Sequence, residues 1–195
     1  GTPYGYLRTR RQYDDFEMEL EWRFPLDENG NSGILLYTAQ EDKVWPDSIQ
    51  VQLHQPVAGS IFPSADARSD NEIRDVRNVA RPINEWNVCR ISSRAGTISV
   101  DINGKKIGEV TGCRPRKGAI ALQSEGSEVH FRRIRIRETP PVAVPEPSID
   151  DATGWFDPTV IPWNRVERLP SSARLQCRPP DVVATQDRRM SRRDR

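Results

Sequence analysis

The clearest pattern in the chain is Phe16-Glu17-Met18-Glu19-Leu20-Glu21-Trp22-Arg23-Phe24, in which large apolar residues alternate with charged ones. A period of two puts Phe16, Met18, Leu20, Trp22 and Phe24 on one face of a strand and Glu17, Glu19, Glu21 and Arg23 on the other, whereas a helix would scatter both sets around its circumference. Burying the five apolar side chains contributes roughly 7–15 kcal/mol before entropy is subtracted, so this strand anchors a core. The alternation recurs over residues 48–54, where Ile49, Val51 and Leu53 oppose Ser48, Gln50, Gln52 and His54. Residues 34–38 are almost continuously apolar, as expected of a strand covered on both faces. Further strands are predicted over 4–9, 87–92, 97–102, 105–110 and 118–123. Ile73, Val76 and Val79 fit neither period, and that region reads as loop with a short strand.

Two local signals sharpen this picture. Asn103-Gly104 separates two alternating runs, and its readiness for positive φ makes it the strongest hairpin signal in the chain. In the last strand Val129 and Phe131 share one parity while Ile134 and Ile136 share the other; one extra residue at Arg132-Arg133 restores the inward face and predicts a β-bulge there. About nine short strands with no amphipathic helix make the fold all-β, a two-sheet antiparallel β-sandwich.

The pattern stops near Thr139, and composition changes with it. Nine of the 16 prolines lie in the last 56 of 195 residues. Residues 1–139 therefore read as the β-sandwich domain and 140–195 as a Pro/Arg-rich linker and disordered tail. Within the tail, Gly154-Trp155-Phe156 and Ile161-Pro162-Trp163 are apolar islands too small to make a core. A net charge of +1 gives no basis for a nucleic-acid partner, and no apolar run reaches the roughly 18 residues of a membrane span. Cys89, Cys113 and Cys177 lack the paired spacing of a zinc site, with Cys89 a core thiol on a strand. The chain starts at Gly1, which reads as a processed or truncated end. Composition indicates neither oligomeric state nor compartment.

The chemistry is sparse. His54 and His130 are the only histidines, no Gly-x-Ser-x-Gly elbow accompanies them, and both read as strand-face residues, which excludes a serine hydrolase. The loop from Asp27 to Gly33 alternates oxygen ligands as a calcium loop does, yet Ser32 and Thr38 stand where a calcium hand needs glycine and glutamate, so a turn without cofactor is the better reading. The Glu17–Glu19–Glu21–Arg23 row is either a solvated face or the floor of a groove. Gln50 and Gln52, near Trp45 in the preceding loop, have the makings of a sugar site: amides match hydroxyls as both donor and acceptor, and an indole takes the apolar side of a pyranose.

Several blocks together resemble the 3-keto-disaccharide hydrolase family. They run from Leu7-Arg8-Thr9 and Tyr13-Asp14-Asp15-Phe16 through Asn31-Ser32-Gly33-Ile34, Pro46-Asp47-Ser48-Ile49-Gln50-Val51-Gln52-Leu53 and Asn84-Glu85-Trp86-Asn87. They continue through Asn103-Gly104 and Gly118-Ala119-Ile120-Ala121-Leu122-Gln123-Ser124-Glu125-Gly126 to Val129-His130-Phe131-Arg132-Arg133-Ile134-Arg135-Ile136, in family order. The resemblance implies a concanavalin-like jelly roll, a carbohydrate ligand and a secreted or periplasmic setting. It also implies cleavage of glycosides whose sugar carries a ketone at C3, which acidifies the C2 hydrogen and opens a route of elimination followed by hydration. Two positions depart from the family: Gln50 stands where a glutamate is common, and Ser60 where an aspartate is common. The family's first strands have no counterpart here, which predicts an N-terminally truncated domain with an open sheet edge. On this basis Asn31, Trp45, Gln50, Gln52 and Gln123 are the candidate sugar contacts, with Glu125 and then His130 the candidate acid–base groups. A carbohydrate-active hydrolase is the leading expectation. A non-catalytic sugar-binding module and a structural interaction domain are the alternatives, the first of these favoured by Gln50 and Ser60.

Overall fold

The computed structural model describes residues 3–39, 43–140, 149–150 and 155–156. The chain divides into two units, 1–143 and 144–195. In the first, ten strands build two five-stranded antiparallel sheets. The first sheet comprises β1 (Gly5–Arg8), β3 (Gly33–Thr38), β4 (Ser48–Gln52), β5 (Ile61–Ser64) and β9 (Ala119–Ser124), in the order β1-β9-β3-β4-β5. The second comprises β2 (Phe16–Arg23), β6 (Asn87–Arg94), β7 (Thr97–Ile102), β8 (Lys105–Val110) and β10 (His130–Glu138), in the order β10-β2-β6-β7-β8. One turn of 3-10 helix, Gln55–Val57, follows β4. The architecture is the all-β two-sheet sandwich that the alternation implied, with the jelly-roll fold that the family resemblance implied. In the second unit β11 (Ile149–Asp150) pairs with β12 (Trp155–Phe156), so Trp155 and Phe156 of the first apolar island lie in a short antiparallel pair. The expected disorder of the tail otherwise falls outside the described residues.

The inward faces form one core. Phe16, Leu20 and Trp22 of β2 are fully buried, as are Ile34 and Leu36 of β3, Ile49 and Val51 of β4, and Ile98 and Ile102 of β7. Cys89 is buried among them, and burial raises its thiol pKa. Tyr37 ties the sheets together. A positive φ of 59° and a shift in the β3–β9 register between Leu35 and Thr38 turn it inward. There its ring packs edge-on against Phe16 and its hydroxyl meets Ser93 of β6.

Both local signals appear in the structure. Asn103 and Gly104 carry φ of 53° and 82° between β7 and β8, and the Asn103 amide donates to Val79 O while its Oδ1 accepts from Val88 N. The β10–β2 register shifts between Arg132 and Arg135, with Arg133 at φ 51°. One strand differs from the sequence reading. β5 forms at 61–64, and the region around Ile73 contributes only a single bridge, to Ile61. Pro63 conceals β5 in the sequence, but an edge strand tolerates a residue without an N–H. The edges are β1 and β5 in one sheet and β10 and β8 in the other, and Leu7 on β1 is 81% exposed.

Candidate functional site

The outward positions of the first sheet are set by its register. Leu35 pairs with Gln50 and Ala121, and Gln50 with Phe62. One step along, Gly33 pairs with Gln52. Continuing the β3–β9 register from Ile34–Leu122 places Gln123 beside Gly33 and Glu125 beside Asn31. The period of two thus collects amides from three strands on one face. Although they point away from the core, Leu35, Gln50 and Gln123 are almost entirely buried, so this face is sheltered.

Gly33 makes room for the cluster. A Cβ there would lie 2.8 Å from Gln123 Oε1 and 3.0 Å from Gln50 Nε2. The amides then form a chain: Gln50 Nε2 donates to Gln52 Oε1, Gln52 Nε2 donates to Asn31 Oδ1 at 3.0 Å, and Asn31 Nδ2 donates to Glu125 Oε2 at 2.8 Å. Gln123 Oε1 is buried with no hydrogen-bond partner among the described residues. Partial burial raises the Glu125 pKa above the usual carboxylate value, against a smaller opposing pull from His54. A buried acceptor without a donor is costly, and so is a desolvated carboxylate; both are better satisfied by a polar ligand.

Five of the sequence candidates, Asn31, Gln50, Gln52, Gln123 and Glu125, therefore come together. Two do not. Trp45 is 43% exposed in the loop before β4, at the end of the strand away from Glu125. His130 starts β10 on the other sheet, where Nε2 meets Glu128 at 2.7 Å, Nδ1 accepts from Arg23 at 3.3 Å, and the ring lies 6.5 Å from Trp86. Its place between Val129 and Phe131 in the last motif carries no information about which sheet that strand joins. Ser60 donates its hydroxyl to Val57 O at 3.1 Å.

The loop 27–33 is held as a turn. Asp27 Oδ1 accepts from Asn29 N at 2.9 Å and Oδ2 accepts from Ser127 at 2.6 Å, which lowers the Asp27 pKa. No group of three or more metal-ligating side chains exists among the described residues.

The charged row of β2 belongs to the opposite face. Arg90 pairs with Glu19 at 2.8 Å and Arg137 with Glu17, while Arg132 and Arg133 clamp Glu21 at 2.6 and 2.9 Å. The bulge lets two consecutive arginines reach one carboxylate, whose pKa is lowered chiefly by the Arg132 hydrogen bond. A groove of about 620 Å³ lies on this face, lined by Glu17, Glu19, Arg90, Ser99, Asp101 and Arg135 among others.

The family model of the 3-keto-alpha-glucoside-1,2-lyase-like domain matches residues 1–137. The chain belongs to this family. A 3-keto-disaccharide hydrolase of Bacteroides thetaiotaomicron is 25% identical over 181 residues, covering 68% of this chain and 61% of that protein. The chain thus spans less than two thirds of that relative's length. Among solved structures, a Parabacteroides distasonis protein assigned to the glycosyl hydrolases superposes with a TM-score of 0.54 at 20% identity, covering 71% of this chain and 85% of that one. The carbohydrate-binding module CBM66 of Bacillus subtilis superposes with a TM-score of 0.55 at 10% identity, covering 68% and 81%. At these identities both show the shared fold of the 3-keto-alpha-glucoside-1,2-lyase-like domain.

Proposed function

We propose that this domain is a carbohydrate-active enzyme acting on 3-keto-glycosides, with the sheltered amide face of the first sheet as its sugar site. The observation that carries this reading is Glu125. Its carboxylate ends a continuous row of amides, accepts from Asn31 at 2.8 Å, and is desolvated enough to hold a raised pKa. A carboxylate that accepts from one donor keeps lone pairs for a substrate proton, and a raised pKa makes it a better base. Family membership and the hydrolase name of the curated relative support the same chemistry.

In the elimination, Glu125 takes the proton from C2 of the 3-keto sugar, and the electron pair forms the C1=C2 bond as the C1–O bond breaks. The leaving oxygen takes up a proton. Water then adds across the double bond, with hydroxide equivalent at C1 and the proton returned to C2. Gln50, Gln52, Gln123 and Asn31 orient the ring hydroxyls, and their amide N–H groups stabilise charge developing on the C3 oxygen.

Incubation with an aryl 3-keto-glucoside tests this by release of the aglycone. Turnover is expected, and Glu125→Gln should reduce it at least about 100-fold. A second reading, a sugar-binding module without catalysis, is favoured by Gln50, whose amide cannot act as a base. Saturable binding of the 3-keto-glucoside without turnover would select that second reading.

A further inference from the structure

The elimination requires a proton for the leaving oxygen as well as a base for C2, and Glu125 supplies only the second. His54, which the sequence presents as a strand-face residue, is placed by backbone geometry at the same end of the site. Leu53 N donates to Ser32 O and Gln55 N donates to Gly30 O, each at 2.9 Å. Both bonds keep the register in which Gly33 pairs with Gln52. They flank the pair Asn31–His54, which is the non-hydrogen-bonded type of antiparallel pair, with side chains on one face and close together.

Asn31 is itself the residue that holds Glu125. The register, continued just past the ends of β9, β3 and β4, therefore lines up Glu125, Asn31 and His54 as one row, on the outward face that carries Gln52. We propose that His54 is the second proton-carrying group of this site and works as a pair with Glu125 across Asn31. This rests on the proposed reaction for its catalytic meaning, while the pairing itself can be measured without turnover.

Two carboxylates from separate elements lie within electrostatic reach of His54. Glu125 comes from the loop after β9 and Asp27 from the loop after β2, and each feels the charge of His54. The turn Gln55–Val57 adds no charged side chain, and Arg81 reaches the neighbouring Gln55 only through its backbone carbonyl. The imidazolium is the form of His54 that can donate. In the reaction, Glu125 takes the C2 proton and His54 gives its proton to the leaving oxygen. In the hydration, neutral His54 takes a proton from the attacking water and Glu125 returns its own to C2. Both groups end as they began.

The test is an NMR pH titration of the full chain, in which the two histidines are assigned with a His130→Asn variant. Replacing Glu125 by Gln should move the His54 midpoint measurably downward, because it removes a neighbouring negative charge. A midpoint that stays put in both Glu125→Gln and Asp27→Asn overturns the inference. On the aryl 3-keto-glucoside, His54→Asn should lower kcat at least about tenfold and change the pH profile, with binding of the sugar retained. Full activity and an unchanged profile in His54→Asn would also overturn it. A wild-type protein without turnover but with the coupled titration would instead refute the proposed reaction and leave the pair standing.

Discussion

Gly33→Ala isolates the amide face from the fold. The glycine has no positive φ, so alanine fits its backbone, and a strand gains about 0.5–1 kcal/mol from the exchange. The new methyl, however, would sit 2.8 Å from Gln123 Oε1 and 3.0 Å from Gln50 Nε2. An ordinary contact needs at least 3.4 Å, so the two amides must retreat by about 0.6 and 0.4 Å, the differences between those distances. Gln50 is the first link of the chain to Gln52, Asn31 and Glu125, and its displacement breaks or bends the link to Gln52. Leaving a buried amide unsatisfied costs about 1–3 kcal/mol. The stability change is then the difference of two small opposed effects, within about 2 kcal/mol of wild type. Loss of one ligand-facing amide is expected to weaken sugar binding about tenfold, or about 1.4 kcal/mol. Thermal unfolding followed by circular dichroism, and calorimetric titration with a 3-keto-glucoside, measure the two effects separately. Unchanged affinity in a folded Gly33→Ala variant would refute the assignment of this face to the ligand.

Three further outcomes follow from the same geometry. Glu125 has a raised pKa in the folded state, so its charged form is disfavoured by folding. Glu125→Gln should therefore raise Tm at pH 7, with the advantage vanishing once the pH falls below the unfolded carboxylate value of 4.5. Glu21 has a lowered pKa and behaves oppositely: Glu21→Gln should lower Tm at neutral pH, and thermal scans should show the gap closing as pH falls through the lowered folded value. In Gly118→Ala the added Cβ would lie 2.4 Å from the backbone carbon of Tyr37, and because backbone rather than a flexible tip must move, chemical denaturation should show a loss of more than about 3 kcal/mol.

Much of the fold was legible because a strand with one buried face writes its orientation into the sequence. The β2 alternation gave the core face residue by residue, and the parity break in β10 gave the bulge. β5 was not legible, because four residues containing Pro63 carry too little pattern. For the candidate site, alternation put Gln50 and Gln52 on one face but could not say which sheet lay beneath them. Their union with Asn31, Gln123 and Glu125 depends on β3 lying between β4 and β9, the β3–β9 partners being 81 to 88 positions apart. The family resemblance bridged that gap for these five. It offered His130 rather than His54, and the register that places His54 opposite Asn31 is written in backbone hydrogen bonds rather than in side-chain types.

The two outward faces differ in a way that bears on where chemistry can occur. On the second sheet, Glu17, Glu19 and Glu21 are each satisfied by arginines from neighbouring strands, and most of those side chains are well exposed, where ion pairs contribute little and ligands must compete with water. A groove lies there, but several of its charged walls are already paired with one another. On the first sheet the amides are neutral and sheltered, and Gln123 Oε1 has no donor among the described residues. A neutral amide row costs less to shelter than a row of charges, and inside such a row a single carboxylate acquires an altered proton affinity. Glu125 occupies that position at the open end of the row. The volume of the opposite groove is therefore the weaker guide: reactivity depends on desolvation and unfilled hydrogen bonds, and both lie on the amide face.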